Sequence, residues 1–237
     1  MRNQRSPLIT PKTELGKSIL FQGKREEDFD DDEGEIKFTT FFNTAGYRSL
    51  IVSSLEDDIM ILEGVVGRTM AQLVSEGLLF IQSKDPRHPH PNIDVRITSP
   101  GGNILHALAI HDRFLDYAFD PRFETQANVR GYVIGHAFSA ASQIILQGCT
   151  ERLSSENATI MCHNIGVELR EAITRKKFLD KDWHEKIDKD FLRWEEKILT
   201  ILTDRTGKTE DEVRALLDKE EDITADEALK LDRKSVV

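Results

Sequence analysis

Two side chains with complementary proton chemistry follow separate apolar segments of this chain. Ser139 lies within Gly135–Ser142, and His163 ends the segment Met161–His163. A serine hydroxyl is a poor nucleophile at neutral pH unless a base with a pKa near 7 lies within hydrogen-bond reach, and histidine is such a base. The pair therefore predicts acyl-transfer chemistry, with Ser139 as the nucleophile and His163 as the general base.

A third segment can stabilise the negative charge that such a reaction develops. The turn Thr98–Gly102 ends an apolar run with two glycines, which let backbone N–H groups come close to a reacting carbonyl. Ser139 also precedes a predicted helix, whose first N–H groups are free and carry the positive end of the helix dipole. We interpret the N–H groups of Ala140 and Gly102 as the two oxyanion donors.

A further group must orient the imidazole. Acidic residues crowd the segment 218–222, and composition does not choose among them. Each feature also has a simpler structural interpretation, because a lone serine at a strand–helix junction is usually an N-cap and a histidine at a strand end is usually a core residue. The joint occurrence of these features in one order favours catalysis, although the Gly-x-Ser-x-Gly elbow of α/β-hydrolases is absent.

Short apolar runs alternate with segments of helical periodicity, which indicates an α/β core with crossover connections. The predicted strands are Ile59–Leu62, Ile93–Thr98, Val129–Ile134 and Ala158–His163. The predicted core helices are 70–81, 104–118 and Ala140–Gln147. A long charged helix with an apolar stripe is predicted from about Glu168 to Thr203, as in a helix packed on a partner surface.

The C-terminal part carries helix start and stop signals. Thr206-Gly207 predicts a helix end, and a further helix is expected near Asp211–Leu217. Thr224 with Glu227 three residues later predicts a capping box.

Composition and charge limit the classes of partner. The chain has 237 residues and a formal net charge of -10, which argues against nucleic acid as a partner. Its two cysteines, Cys149 and Cys162, lie in apolar runs and predict buried thiols rather than a disulfide. His88 and His90 lack further ligands at motif spacing, so neither a metal nor a cofactor is predicted.

No segment predicts membrane insertion or secretion. No apolar run approaches the roughly 20 residues that a membrane-spanning helix needs, and no signal-peptide core follows the first residues. We therefore expect a soluble, cytoplasmic protein without a membrane partner. Residues 1–44 include a strongly acidic run and predict a mobile extension, and residues 45–237 predict one domain.

Taken together, these segments resemble the proteolytic subunit of Clp proteases, the ClpP family. The glycine turn, the serine segment and the histidine segment match the family's three catalytic segments in order. The matching segments are Thr98–Gly102, Gly135–Ser142 and Met161–Asn164, together with Asp58–Gly64, Thr206–Gly207 and Thr224–Ala228. The resemblance spans roughly residues 47 to 230.

The resemblance implies a ClpP/crotonase-like α/β fold, a spiral of ββα units with a protruding handle helix. It implies a serine endopeptidase that cleaves unfolded polypeptides in the chamber of a homo-oligomeric ring, or stacked rings, fed by a separate AAA+ unfoldase. Ser139 and His163 match the family's nucleophile and base. Counting from both flanking motifs places the family's catalytic aspartate at Glu220, with Asp222 and Asp218 as alternatives.

This chain departs from the family pattern at several positions. Glutamate replaces aspartate at 220, Ala141 replaces a glycine, and His136 replaces a glutamine. The region after His163 also differs where the family forms its ring-to-ring handle, so the oligomer is left open. Two other functions stay as alternatives: a catalytically silent ring subunit, and an acyl-CoA enzyme of the crotonase fold.

Overall fold

The described part of the chain is built on one six-stranded sheet. The computed structural model describes residues 54–84, 90–166 and 174–231. The strands are β1 (Ile59–Glu63), β2 (Ile93–Ser99), β3 (Val129–Phe138), β4 (Glu151–Ser154), β5 (Thr159–Met161) and β6 (Asp222–Thr224). They lie in the order β1-β2-β3-β5-β6, and β4 pairs with β3. The pairs are parallel except β5 with β6, which is antiparallel.

Helices make the connections from β1 to β2, from β2 to β3 and from β3 to β4, as crossovers between parallel strands require, and further helices follow β5 and β6. They are α1 (Arg68–Lys84), α2 (Ile104–Ala118), a π-helix (Ala141–Ile145) that continues into the short α3 (Leu146–Gly148), α4 (Arg175–Phe178), α5 (Lys181–Thr206), α6 (Glu210–Leu217) and α7 (Ala225–Leu231). The predicted α/β fold with a mainly parallel sheet is therefore confirmed.

One apolar cluster joins the strands to the inner faces of the helices. On β2, Ile93, Val95 and Ile97 alternate with more exposed residues and are fully buried, as their spacing predicts. On α2 the buried face is formed by residues such as Ile110 and Phe114. Leu105 belongs to the predicted apolar pattern of this helix, but it is 53% exposed because it faces away from the sheet.

The long C-terminal helix is divided, which corrects the prediction of one continuous helix. Helix α4 ends at Phe178, and the side chain of Asp180 then accepts hydrogen bonds from the first N–H groups of α5. Gly207 ends α5 with a φ of 66°, as the stop signal predicts. The residues of α5 that are buried all lie near its C-terminal end, and they are Ile198, Leu199 and Leu202.

Two short strands, β4 and β6, were not predicted, because neither shows apolar alternation long enough to stand out.

The capping box of Thr224 and Glu227 is present: Thr224 Oγ1 accepts from the Glu227 N–H at 3.3 Å, and Glu227 Oε2 accepts from the Thr224 N–H at 2.9 Å. Burial of both cysteine thiols is also confirmed.

All described residues belong to one compact unit, Ile51–Val237. The predicted mobile extension, residues 1–44, lies outside the described residues, as does the part of the predicted long helix at residues 168–173. In the ranges that the structure describes, no helix combines the length and the apolar composition needed to cross a membrane.

Candidate active site

Strand β3 delivers Ser139 to the carboxyl edge of the sheet. The strand runs to Phe138, four residues further than the apolar pattern predicts. Ser139 follows with a φ of 54°, in the left-handed region that non-glycine residues seldom occupy. Its backbone N–H donates to Met161 O at 2.9 Å, so the turn is tied to the end of β5. A strained backbone held this firmly is common at active sites.

The Ser139 side chain does not act as a helix cap. The N-cap of the following π-helix is Ala140, and no side chain caps this end. It is the Ser139 carbonyl that makes the local contacts, accepting from the N–H groups of Ser142 at 3.0 Å and Gln143 at 2.9 Å. The hydroxyl of this half-buried serine is therefore not used for capping, which argues against the interpretation of Ser139 as an N-cap.

His163 lies beside this turn because β5 is the parallel neighbour of β3. Phe138 is paired with Met161, so Ser139 comes one residue and His163 two residues after adjacent strand ends. The His163 carbonyl accepts a hydrogen bond of 2.7 Å from Gln143 Nε2. Within the described ranges, the hydrogen bonds of Ser139 and His163 are made by backbone atoms, and their hydroxyl and ring are not bonded to each other.

The glycine turn packs directly against the Ser139 turn. A Cβ on Gly101 would lie 2.6 Å from both Phe138 O and Ser139 Cβ, and Gly101 has a φ of 89°. On the other side of the turn, Gly102 forms an isolated parallel β-bridge with Val66. Only glycine permits both the close approach and the backbone conformation at 101.

Two backbone N–H groups near Ser139 have no acceptor among the described residues. Gly101 N–H donates to Ser99 Oγ at 3.1 Å, and Asn103 N–H donates to Val66 O at 2.9 Å. In the part of the chain that is described, no acceptor is recorded for the amides of Gly102 and Ala140. These are the two amides that the sequence suggests as oxyanion donors.

The acidic segment reaches the site through β6. This strand pairs with β5 so that Met161 lies opposite Asp222. The pairing ends there, so Glu220 and His163 each lie two residues beyond the last paired positions, Asp222 and Met161. Glu220 is exposed and has a φ of 50°, which bends the chain just before β6 begins.

The two alternative acids have different surroundings. Asp218 is the C-cap of α6, and its Oδ1 accepts a hydrogen bond of 2.8 Å from Asn164 Nδ2. Asp222 starts β6 and is exposed. The structure thus brings the acidic segment as a whole close to the residues around His163. Within the acidic segment, Asp218 is the residue whose side chain contacts them, through Asn164.

Cys162, next to His163, is not a competing nucleophile. Burial raises the pKa of its thiol to about 11, and the nearby Ser142 hydroxyl, 3.6 Å from Sγ, only partly opposes this effect. At neutral pH the thiol is therefore protonated and weakly nucleophilic. No group of three or more His, Cys, Asp or Glu side chains converges as a metal site within the described ranges.

Some contacts of this site could not be found from the sequence. Gln143 and Asn164 reach residues 20 and 54 positions away in the chain, and no local motif announces such pairs. The β5–β6 pairing was also missed, although it is what places the acidic segment next to the end of β5.

Comparison with known protein families gives one match. The model of a family described as Clp protease matches residues 45–231, which is most of the chain. The matched range contains Ser139, His163, the glycine turn and the acidic segment.

Proposed function

Since the chain belongs to the Clp protease family, we propose that it is a serine endopeptidase that cleaves unfolded polypeptides. The observation that carries this proposal is the junction of β3 and β5, where Ser139 and His163 follow paired strand ends. The strained Ser139 backbone, and a hydroxyl that makes no hydrogen bond to any described residue, are the features expected of a nucleophile.

In the proposed reaction Ser139 Oγ attacks the carbonyl carbon of the scissile peptide while His163 accepts the hydroxyl proton. The carbonyl oxygen becomes an oxyanion that accepts hydrogen bonds from the Gly102 and Ala140 amides. Collapse of this intermediate breaks the C–N bond, and His163 returns the proton to the leaving amine. Water then hydrolyses the acyl-enzyme by the same sequence of proton transfers.

Glu220 is our proposal for the residue that orients His163. It has the position that matches the family's aspartate, and the β5–β6 pairing supports the assignment because Glu220 and His163 each lie two residues beyond the paired Asp222 and Met161. Asp218 is the weaker candidate since its carboxylate already accepts from Asn164. The longer glutamate side chain is compensated in this proposal by the bend at position 220.

We further propose that the protein acts as a homo-oligomeric ring and receives substrate from a separate AAA+ unfoldase. Exposed large apolar side chains around α4 and α5 support an assembly. Phe178 on α4 is 59% exposed, Leu179 just after α4 is 65% exposed, and Leu192 on α5 is 51% exposed. Sedimentation velocity of the purified chain tests the oligomer, and casein degradation with and without an unfoldase tests the partner.

Replacing the nucleophile tests the activity itself. Ser139→Ala should lower the hydrolysis of a fluorogenic peptide by at least about 10³-fold, because the mutant retains only binding and oxyanion stabilisation. A fluorophosphonate probe should label the wild type and leave Ser139→Ala unlabelled. Equal hydrolysis by the two proteins would refute the proposal.

One observation keeps the silent ring subunit as a second candidate. The Ser139 hydroxyl and the His163 ring are not hydrogen-bonded to each other, and a subunit that never aligns them would have no activity. Unliganded peptidases also show loose geometry, which is why the active reading is preferred. A correctly assembled wild type that resists the fluorophosphonate probe would favour the silent subunit.

A further inference from the structure

The turn after Ser139 contains a buried polar side chain that the proposed mechanism does not use. Gln143 is 2% exposed, whereas its neighbours in the π-helix include the apolar Ala141, Ile144 and Ile145. A buried amide is costly unless it is hydrogen-bonded, and an apolar residue would fill the same space without that requirement. The presence of glutamine here therefore calls for a specific partner.

That partner is the backbone of the proposed general base. Gln143 Nε2 donates to His163 O at 2.7 Å, while the Gln143 backbone N–H donates to Ser139 O at 2.9 Å. One residue thus contacts the backbone of both Ser139 and His163. We propose that Gln143 is a positioning residue, which holds the His163 main chain at a fixed place relative to Ser139; the inference rests on the function proposed above.

His163 needs such a contact because the ladder of β5 does not reach it. Strand β5 has three residues and ends at Met161, and residues 162–166 that follow have no regular structure. The Ser142 hydroxyl supports the same region by donating toward Met161 O at 2.6 Å. The hydrogen bond from Gln143 Nε2 holds the chain two residues further on, at the carbonyl of His163.

The local helix geometry explains how Gln143 reaches this carbonyl. The turn is a π-helix, in which Leu146 N–H donates to Ala141 O, five residues back. Such widened turns are rare and occur frequently at functional sites. Gln147 Nε2 donates to Ser142 O at 2.9 Å within the same turn, so this second glutamine serves the helix alone.

Gln147 therefore provides the matched control. Gln143→Leu and Gln147→Leu each remove one side-chain donor from one helix, but only the first releases His163. We expect Gln143→Leu to lower kcat about 10- to 100-fold with KM within about twofold, because a misplacement of about 1 Å costs this much. Gln147→Leu should lower the melting temperature and leave kcat within about twofold of wild type.

A second measurement does not depend on activity. In protein labelled with ¹³C at the histidine Cε1, the His163 signal, assigned with His163→Gln, should shift or broaden in Gln143→Leu and stay unchanged in Gln147→Leu. If wild type shows no Ser139-dependent hydrolysis, the proposed function fails while this signal still decides the positioning role. Unchanged kcat in Gln143→Leu, or an unshifted His163 signal, would overturn the inference.

Discussion

The junction that holds Ser139 and the acidic segment 218–222 are built in opposite ways. At the junction of β3 and β5, backbone and side-chain hydrogen bonds join the turn at Ser139 to Met161 and His163, and Ala140, Ala141 and Ser142 are buried. In the acidic segment all residues are exposed, and one side-chain hydrogen bond, from Asn164 to Asp218, connects it to the site. The difference indicates that Ser139 and His163 are positioned by the core, whereas the acidic segment is positioned by a short edge strand.

The largest expected losses of kcat come from replacing the proposed base, His163, and the proposed acid, Glu220, and the two losses should differ in size. His163→Ala should lower kcat by about 10⁴- to 10⁶-fold, and Glu220→Gln by about 10⁴-fold or less, since the residual activity without the orienting carboxylate is usually higher. Stopped-flow or long-time peptide assays measure both. Asp218→Asn and Asp222→Asn serve as controls, and a greater loss in either one than in Glu220→Gln would move the acid role to that residue.

A glycine pair tests how tightly the junction is packed. Gly101→Ala introduces a Cβ 2.6 Å from Ser139 Cβ at a φ of 89°, whereas Gly64 has a similar φ of 93° and open space around its Cβ position. We expect Gly101→Ala to lower the free energy of unfolding by roughly 3 kcal/mol or more and Gly64→Ala by roughly 1 to 2 kcal/mol. Urea unfolding measures the difference, and equal losses would contradict close packing at 101.

The buried thiols give the smallest expected effect. Burial raises the pKa of the Cys149 thiol to about 12 and that of Cys162 to about 11 from the ordinary 9.0. The folded protein therefore keeps thiol protons that the unfolded chain releases, so stability is unaffected below about pH 8 and falls by roughly 1 kcal/mol per thiol by pH 10. The double Cys→Ala variant should lose less stability over this range.

Alkylation compares the two regions directly. Iodoacetamide at pH 8 should leave Cys149 and Cys162 unmodified in the folded protein, and it should label a Glu221→Cys variant at the rate of a free thiol, because position 221 is exposed. Labelling of Cys162 at a similar rate would show that the junction opens as readily as the acidic segment.

Sequence patterns predicted the features that have local causes. Short apolar runs identified β1, β2, β3 and β5, and side-chain chemistry located the capping box and the end of α5. The order of the glycine turn, the serine and the histidine indicated the family, which the comparison confirms. These signals depend on residues close together in the chain, which is why they can be recognised without coordinates.

Other features are hidden by composition or depend on pairs that are distant in the chain. The division between α4 and α5 is fixed by Asp180, whose capping role is hidden within a charged run. The strand β6 has three residues, two of them exposed, so its pairing with β5 cannot be inferred from hydropathy. Whether Glu220 rather than Asp218 or Asp222 orients His163 depends on that pairing and stays a prediction.

The position of β6 at the margin of the sheet has a consequence for motion. Its hydrogen-bonding partner in the described sheet is β5, and it contributes three residues, so it can detach at a lower free-energy cost than the central β3. Amide hydrogen exchange at Ile223 should therefore be faster than at Val133, which is fully buried. Transient separation of this strand would move the acidic segment away from the end of β5 while the rest of the described sheet remains folded.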